Sequence, residues 1–167
     1  MHLFINGFMG VGKTTIGSEL SSILDLPFID LDEYITEQEG KSISDIFQQD
    51  GEMAFRLIEQ KSLLRLIALK DPHIIALGGG TMSSLKNDAV LLKSGVCVYL
   101  YKPWEEVALY IKTLADRPLA NGLSLVELEI IFHQREHFYE QCQLKIPVDT
   151  TFTTQKLANY LKLLTNR

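Results

Sequence analysis

Apolar runs of strand length recur at Leu3 to Ile5, Phe28 to Ile29, Ile74 to Leu77, Val96 to Tyr101 and Leu144 to Val148, with stretches long enough for helices between them. The spacing of apolar positions in those stretches predicts helices over Lys13 to Asp25, Asp32 to Glu39, Ser42 to Gln49, Gly51 to Leu69, Ser84 to Lys93, Trp104 to Leu114, Ser124 to Gln141 and Thr154 to Leu164. Several open on a Ser, Thr or Asp, whose side-chain oxygen can accept from the free N–H groups of a first helical turn. Strands that are apolar throughout, rather than at alternate positions, are those buried on both faces, as in a parallel sheet covered by crossover helices. The expected fold class is therefore α/β, a parallel sheet with helices on both faces. No internal repeat, low-complexity tract or proline-rich linker interrupts the alternation, and 167 residues suit a single domain. One segment departs from it: ADRPLANGLS, Ala115 to Ser124, sets Pro, Asn and Gly between two helical stretches and reads as an exposed loop, in an enzyme a lid.

Composition narrows the partners. Hydrophobic residues make up 46% and charged ones 22%, which excludes a mainly disordered or fibrous chain. Sixteen Lys plus Arg against twenty-one Asp plus Glu leave a formal charge of -5, so nothing draws the chain to nucleic acid or an anionic membrane and a small-molecule partner is favoured. Cys97 lies in the apolar run VCVYLY and Cys142 in a polar segment, without CxxC spacing, the pattern of buried thiols in a reducing compartment. MHLFING has no basic leader region, and no stretch of about 18 apolar residues occurs, so the expected address is the cytoplasm.

The first strand runs into GFMGVGKTT, Gly7 to Thr15, which satisfies G-x-x-x-x-G-K-[ST] with a strand before it and a helix after it. Glycines let successive backbone N–H groups point at phosphate oxygens, the helix start adds its positive dipole end, Lys13 neutralises the outer phosphates and Thr14 offers a hydroxyl to Mg²⁺. A dinucleotide fingerprint fits poorly, because the glycines run G-x-x-G-x-G and Lys-Thr follows at once. The next strand ends FIDLDEYI. Alternate strand residues share a face, so Asp30 and Asp32 can both look toward the phosphates, one holding Mg²⁺ through water and the other accepting a proton from an attacking hydroxyl. The competing reading has Asp32 capping the following helix and Asp30 as a solvated strand end. The tendency of open α/β sheets to bind ligands beyond the carboxyl ends of their strands favours the first.

IIALGGGT places Gly78, Gly79 and Gly80 directly after a third strand, where missing side chains let a backbone N–H approach a ligand. In GEMAFRLIEQK, Arg56 has Glu52 and Glu59 at helical spacing, close enough to hold its guanidinium. Arg117, inside the expected lid, can swing over the phosphates and balance charge in a transition state. Arg135 sits in HQREH, His133 to His137, which matches the zinc signature H-x-x-E-H. At about 100° per residue, a helix that aims Arg135 at the site turns both histidines away, and no third ligand is apparent, so zinc chemistry is disfavoured.

Together GFMGVGKTT, FIDLDEYI, GKSISDIFQQDGEMAFRLIE, ALGGGT, DRPLA and REHFYE resemble the shikimate kinase family, in the same order and over nearly the whole chain. The resemblance implies a nucleoside-monophosphate-kinase-like fold with a central five-stranded parallel sheet, and transfer of the γ-phosphate of ATP to the 3-hydroxyl of shikimate, with Mg²⁺ as cofactor. It implies that Gly10, Val11, Gly12, Lys13, Thr14 and Thr15 cradle the ATP phosphates, that Thr14 binds Mg²⁺ directly and Asp30 through water, and that Asp32 orients or deprotonates the hydroxyl. Arg56 and Arg135 would grip the substrate carboxylate, Gly79 would offer a backbone N–H to the ring, Phe47 and Phe55 would form an apolar wall beside it, and Arg117 would descend onto the phosphates. Substrate-binding helices are expected over about residues 32–62 and a lid over about 113–124, in a monomer. The chain departs from the family pattern at Tyr110, where an adenine-stacking arginine is usual, at Ala120 in the lid, and in TFTTQ near the base. A gluconate kinase would share the phosphate loop but not the Arg56 block or the triple glycine. A binding module without catalysis would not need every charged group the reaction uses.

Overall fold

Parallel strands and helices alternate through the residues that the computed structural model describes, 1–113 and 122–165. In chain order they are β1 (His2–Asn6), α1 (Lys13–Leu24), β2 (Phe28–Asp30), α2 (Leu31–Glu39), α3 (Ile43–Ile67), β3 (Ile74–Ala76), α4 (Asn87–Ser94), β4 (Gly95–Tyr101), α5 (Trp104–Thr113), α6 (Leu125–Tyr139), β5 (Leu144–Pro147) and α7 (Thr154–Thr165). The sheet order is β2-β3-β1-β4-β5 and every pairing is parallel, with Phe4 of β1 opposite Ile75 of β3 and Cys97 of β4.

β1 is buried on both faces because it is the central strand, and its alternation sorts the core into two layers. Leu3 and Ile5 join the layer that includes Ile16 and Leu20 of α1, Leu128 and Phe132 of α6, and Leu157 and Leu161 of α7. Phe4 points the other way, into the layer holding Ile35 of α2, Leu63 and Leu66 of α3 and Leu91 of α4. This is the expected three-layer arrangement. Chain direction across the sheet reverses beside β1, opening the crevice at the carboxyl ends of the strands in which such folds hold ligands.

Three boundaries differ from the sequence expectation, each for a local reason. The helices expected over Ser42 to Gln49 and Gly51 to Leu69 are one element, α3, broken at Gly51, which takes φ 82° and ψ 170°. Only glycine reaches that backbone region without strain, so the residue expected to start a helix is the kink inside one. α4 begins at Asn87 rather than Ser84, because Leu85 and Lys86 adopt left-handed φ of 48° and 60° and delay it. α2 begins at Leu31, one residue before the expected Asp32, so Asp32 lies within its first turn and out of line with the alternation of β2. The cap signals at Ser42 and Ser124 were accurate: each hydroxyl accepts from the N–H three residues on, and Ser124 with Glu127 forms a reciprocal capping box.

Candidate functional site

The phosphate loop links β1 to α1. Gly10 and Gly12 take φ of 79° and 96°, turning the backbone in a way side chains with a Cβ resist. The Lys13 ammonium folds back over the loop and donates to the carbonyls of Gly7 (2.9 Å) and Phe8 (3.1 Å), bracing the nest from inside. Burial lowers the Lys13 ammonium to about 8, against the raising effect of Asp32 and Asp30 and with a smaller lowering from Arg135. Beside the loop lies a cavity of about 790 Å³, lined by Gly10 to Thr15 together with Lys102, Tyr110, Phe152 and Thr153. That volume suits a nucleotide-sized ligand. Phe152 and Thr153 belong to TFTTQ, the segment expected near the base, whereas Lys102 escaped the sequence reading although it follows directly on the end of β4, where the strand-end rule would look. The Tyr110 ring lies against Gly10, so close that a Cβ there would stand 2.6 Å from it.

The two carboxylates reach the site by a route other than the expected one. Asp30 ends β2 and caps α2: its Oδ1 accepts from the Asp32 N–H (3.0 Å), while its Oδ2 accepts from the Thr14 hydroxyl (2.6 Å). The capping role that the competing reading gave to Asp32 thus falls to Asp30. Asp32, two residues on, faces inward because of the helical turn and not because of strand alternation. Its Oδ1 lies 2.9 Å from where a Gly78 Cβ would stand, and Glu59 Oε1 lies 3.1 Å from the same point. Burial pushes the Asp32 carboxyl up to about 6; Asp30 and Glu59 add to this, and Lys13 and Arg56 oppose it.

The triple glycine is the floor on which the remaining charges converge. Arg56 lies so close over Gly80 that a Cβ there would be 2.7 Å from its Nη2. Glu52 and Glu59 do hold its guanidinium: Glu59 accepts from Nη1 at 2.9 Å and Glu52 from Nη2 at 3.3 Å. Glu59 is fully buried and also accepts from the Thr81 hydroxyl (2.5 Å), a contact across 22 residues that helical spacing does not reveal. Phe47 and Phe55 stack with centroids 4.6 Å apart, and Arg56 lies 5.2 Å from the Phe55 ring centre. Gly79 lies where the two sides of the site meet: the position of an added Cβ would be 3.6 Å from the Met9 N–H nitrogen of the phosphate loop and 3.7 Å from Arg135 Nη1.

Arg135 therefore faces the site, while His133 and His137 lie exposed on the same helix, His133 within 3.6 Å of Glu136. Among the described residues no three His, Cys, Asp or Glu side chains cluster to hold a metal, which leaves the zinc signature without a site. Cys97 and Cys142 are free thiols, the first buried and the second half-buried. Arg117, and most of the expected lid with it, lies outside the described residues.

The model of the family described as shikimate kinase matches residues 9–165. The shikimate kinase of Enterococcus faecalis is 40% identical over 147 residues, covering 87% of this chain and 86% of that protein. The chain is also 40% identical, over 141 residues, to the bifunctional shikimate kinase/3-dehydroquinate synthase of Thermotoga maritima, where the match covers 84% of this chain but spans only 28% of that longer protein. Among solved structures, the shikimate kinase from Acinetobacter baumannii in complex with shikimate superposes with a TM-score of 0.84 at 30% identity, covering 99% of this chain and 94% of that one. A phosphate loop facing a floor of glycines, arginines and a buried carboxylate, matched along almost the full length, places the chain in the shikimate kinase family.

Proposed function

We propose that, in the ATP-dependent phosphorylation of shikimate that this family carries out, Asp32 takes the proton of the 3-hydroxyl as its oxygen attacks the γ-phosphorus. The bond from the γ-phosphorus to the ADP oxygen breaks as the new P–O bond forms, and ADP leaves. The position of Asp32 carries this reading. Among the described residues it is the one carboxyl in the crevice whose affinity for a proton is raised to about 6, where a base can both hold and release one near neutrality. Glu59, its neighbour, is already engaged by Arg56 and Thr81.

The phosphates of ATP rest on the backbone of Gly10, Val11, Gly12, Thr14 and Thr15. Lys13 leaves its carbonyl partners to follow the charge that moves onto the β–γ bridge, and Arg117 adds a second cation from the lid. Thr14 and Asp30, 2.6 Å apart at the mouth of the loop, are the oxygen donors a hard divalent cation takes, so the residues fit Mg²⁺. When bound, that ion supplies charge neutralisation on the phosphate oxygens. On the acceptor side Arg56 and Arg135 present guanidinium forks to the ring carboxylate, Gly79 presents its backbone, and Phe47 with Phe55 covers an apolar face. The state proposed is a monomer, and the charge and free thiols of the chain support a cytoplasmic enzyme.

Shikimate, its uncharged methyl ester and gluconate, each offered with ATP and Mg²⁺ in an assay of ADP release, test the reading. Shikimate should be the best substrate by about two orders of magnitude in kcat/KM, because an ester deprives two half-buried guanidinium groups of their partner. Equal use of the ester would remove Arg56 and Arg135 from carboxylate binding.

A further inference from the structure

Tyr139 closes α6 and is fully buried, yet no substrate or nucleotide role has fallen to it. Its ring stacks on Tyr99 of β4 with centroids 5.2 Å apart, a contact a phenylalanine would make equally well. The hydroxyl is what needs explaining, because a polar group in a core is destabilising unless bonded. It donates to the carbonyl of Gly79, 60 residues away, and Arg135, whose Nη1 lies 3.7 Å from where a Gly79 Cβ would stand, sits one helical turn earlier on the same face. The hydroxyl therefore holds one of the groups proposed for the acceptor, the glycine whose backbone faces the ring, beside a second, the arginine whose fork takes the carboxylate.

Three successive glycines leave a turn with wide backbone freedom, and a turn that must present a backbone N–H in one direction has to be fixed from outside. At the Gly78 end this is done by the Thr81 N–H, which donates to the Gly78 carbonyl at 3.1 Å, and by Thr81 anchored on Glu59. At Gly79 the carbonyl partner is the Tyr139 phenol. We propose that Tyr139 is a positioning residue for shikimate, whose hydroxyl sets the direction of the Gly79 backbone and its spacing from the Arg135 guanidinium. This rests on the reading of Gly79 and Arg135 as acceptor-binding groups.

Tyr139→Phe keeps the ring and removes only the bond. The expected result is a rise of about 5–20-fold in KM for shikimate, with kcat and KM for ATP changed less than about twofold. Incorporation of p-aminophenylalanine at position 139, which restores a donor, should recover most of the loss. Arg135→Ala is assayed in parallel and should raise the same KM about 100-fold. If Arg135→Ala leaves KM for shikimate unchanged, the reading of the acceptor site fails and the positioning role goes with it. If Arg135→Ala behaves as expected and Tyr139→Phe does not raise KM, the positioning role alone is overturned. A Tyr139→Phe protein that loses kcat and both KM values together, or is too unstable to assay, shows the hydroxyl to be a general stability group, which also overturns it.

Discussion

The two halves of this site are built in opposite ways. The donor half is one continuous segment, Gly7 to Thr15, curled beside an open cavity of about 790 Å³ and braced chiefly by its own carbonyls and Lys13. The acceptor half is assembled from α2, α3, the glycine turn after β3, and α6, and its groups are held by protein partners: Arg56 by Glu52 and Glu59, Glu59 by Thr81, and the Gly79 carbonyl by Tyr139. Local backbone geometry suffices for a phosphate common to all nucleotides. Recognition of one particular small acid needs forks held from several directions, so that no group is left to reorient when the ligand arrives.

The largest break in that arrangement is at Asp32, where the halves join. Asp32→Asn should lower kcat by about 10²–10⁴-fold, the usual scale for loss of a general base, with nucleotide affinity by calorimetry changed less than about threefold. Turnover within tenfold of the parent would remove Asp32 from the proton transfer. Next in size is Gly80→Ala, whose new methyl would occupy the Arg56 guanidinium position. KM for shikimate should rise about tenfold and KM for ATP should stay put; equal effects on both would show that the halves are not separable.

A smaller effect appears in stability without ligand. The Asp32 carboxyl is raised in the fold, so its neutral form favours folding below about 4, and that advantage is lost as pH climbs through about 6. Asp32→Asn should therefore stabilise the ligand-free protein by about 1–3 kcal/mol at pH 8 and by almost nothing at pH 3.5, as judged from urea midpoints. A gain equal at both pH values would assign it to packing. Smallest is a proton count at Lys13. Its lowered value of about 8 should return upward when phosphates arrive, so nucleotide binding at pH 8.5 takes up a fraction of a proton, visible as a buffer-dependent binding enthalpy. No uptake would mean that Lys13 keeps its charge partners in both states.

The same contrast explains what could be read in advance. All five strands were legible, β1, β3 and β4 because strands covered on both faces are apolar without interruption and the edge strands β2 and β5 from shorter apolar runs, and so was the phosphate loop, whose geometry depends only on neighbours in sequence. Arg56 with its two glutamates followed from helical spacing, and Arg135 from the opposition of its face to those of His133 and His137. Asp32 was expected to face the site for the wrong reason, since β2 ends one residue after Ile29 and a helix takes over. The Glu59–Thr81 and Tyr139–Gly79 bonds bridge 22 and 60 residues and left no local trace. The delayed start of α4 hangs on two left-handed residues, Leu85 and Lys86, of types that rarely adopt that conformation.

Asp30 makes one further point. Its two oxygens point in different directions, one to the hydroxyl of Thr14 on the donor loop and the other to the backbone of Asp32. A single short side chain is thus the gauge between the segment proposed to hold the phosphate and the group proposed to act on the incoming hydroxyl. Because an error of about 1 Å in such an alignment slows a reaction about a hundredfold, the tolerance of the whole enzyme is machined into one methylene and one carboxylate.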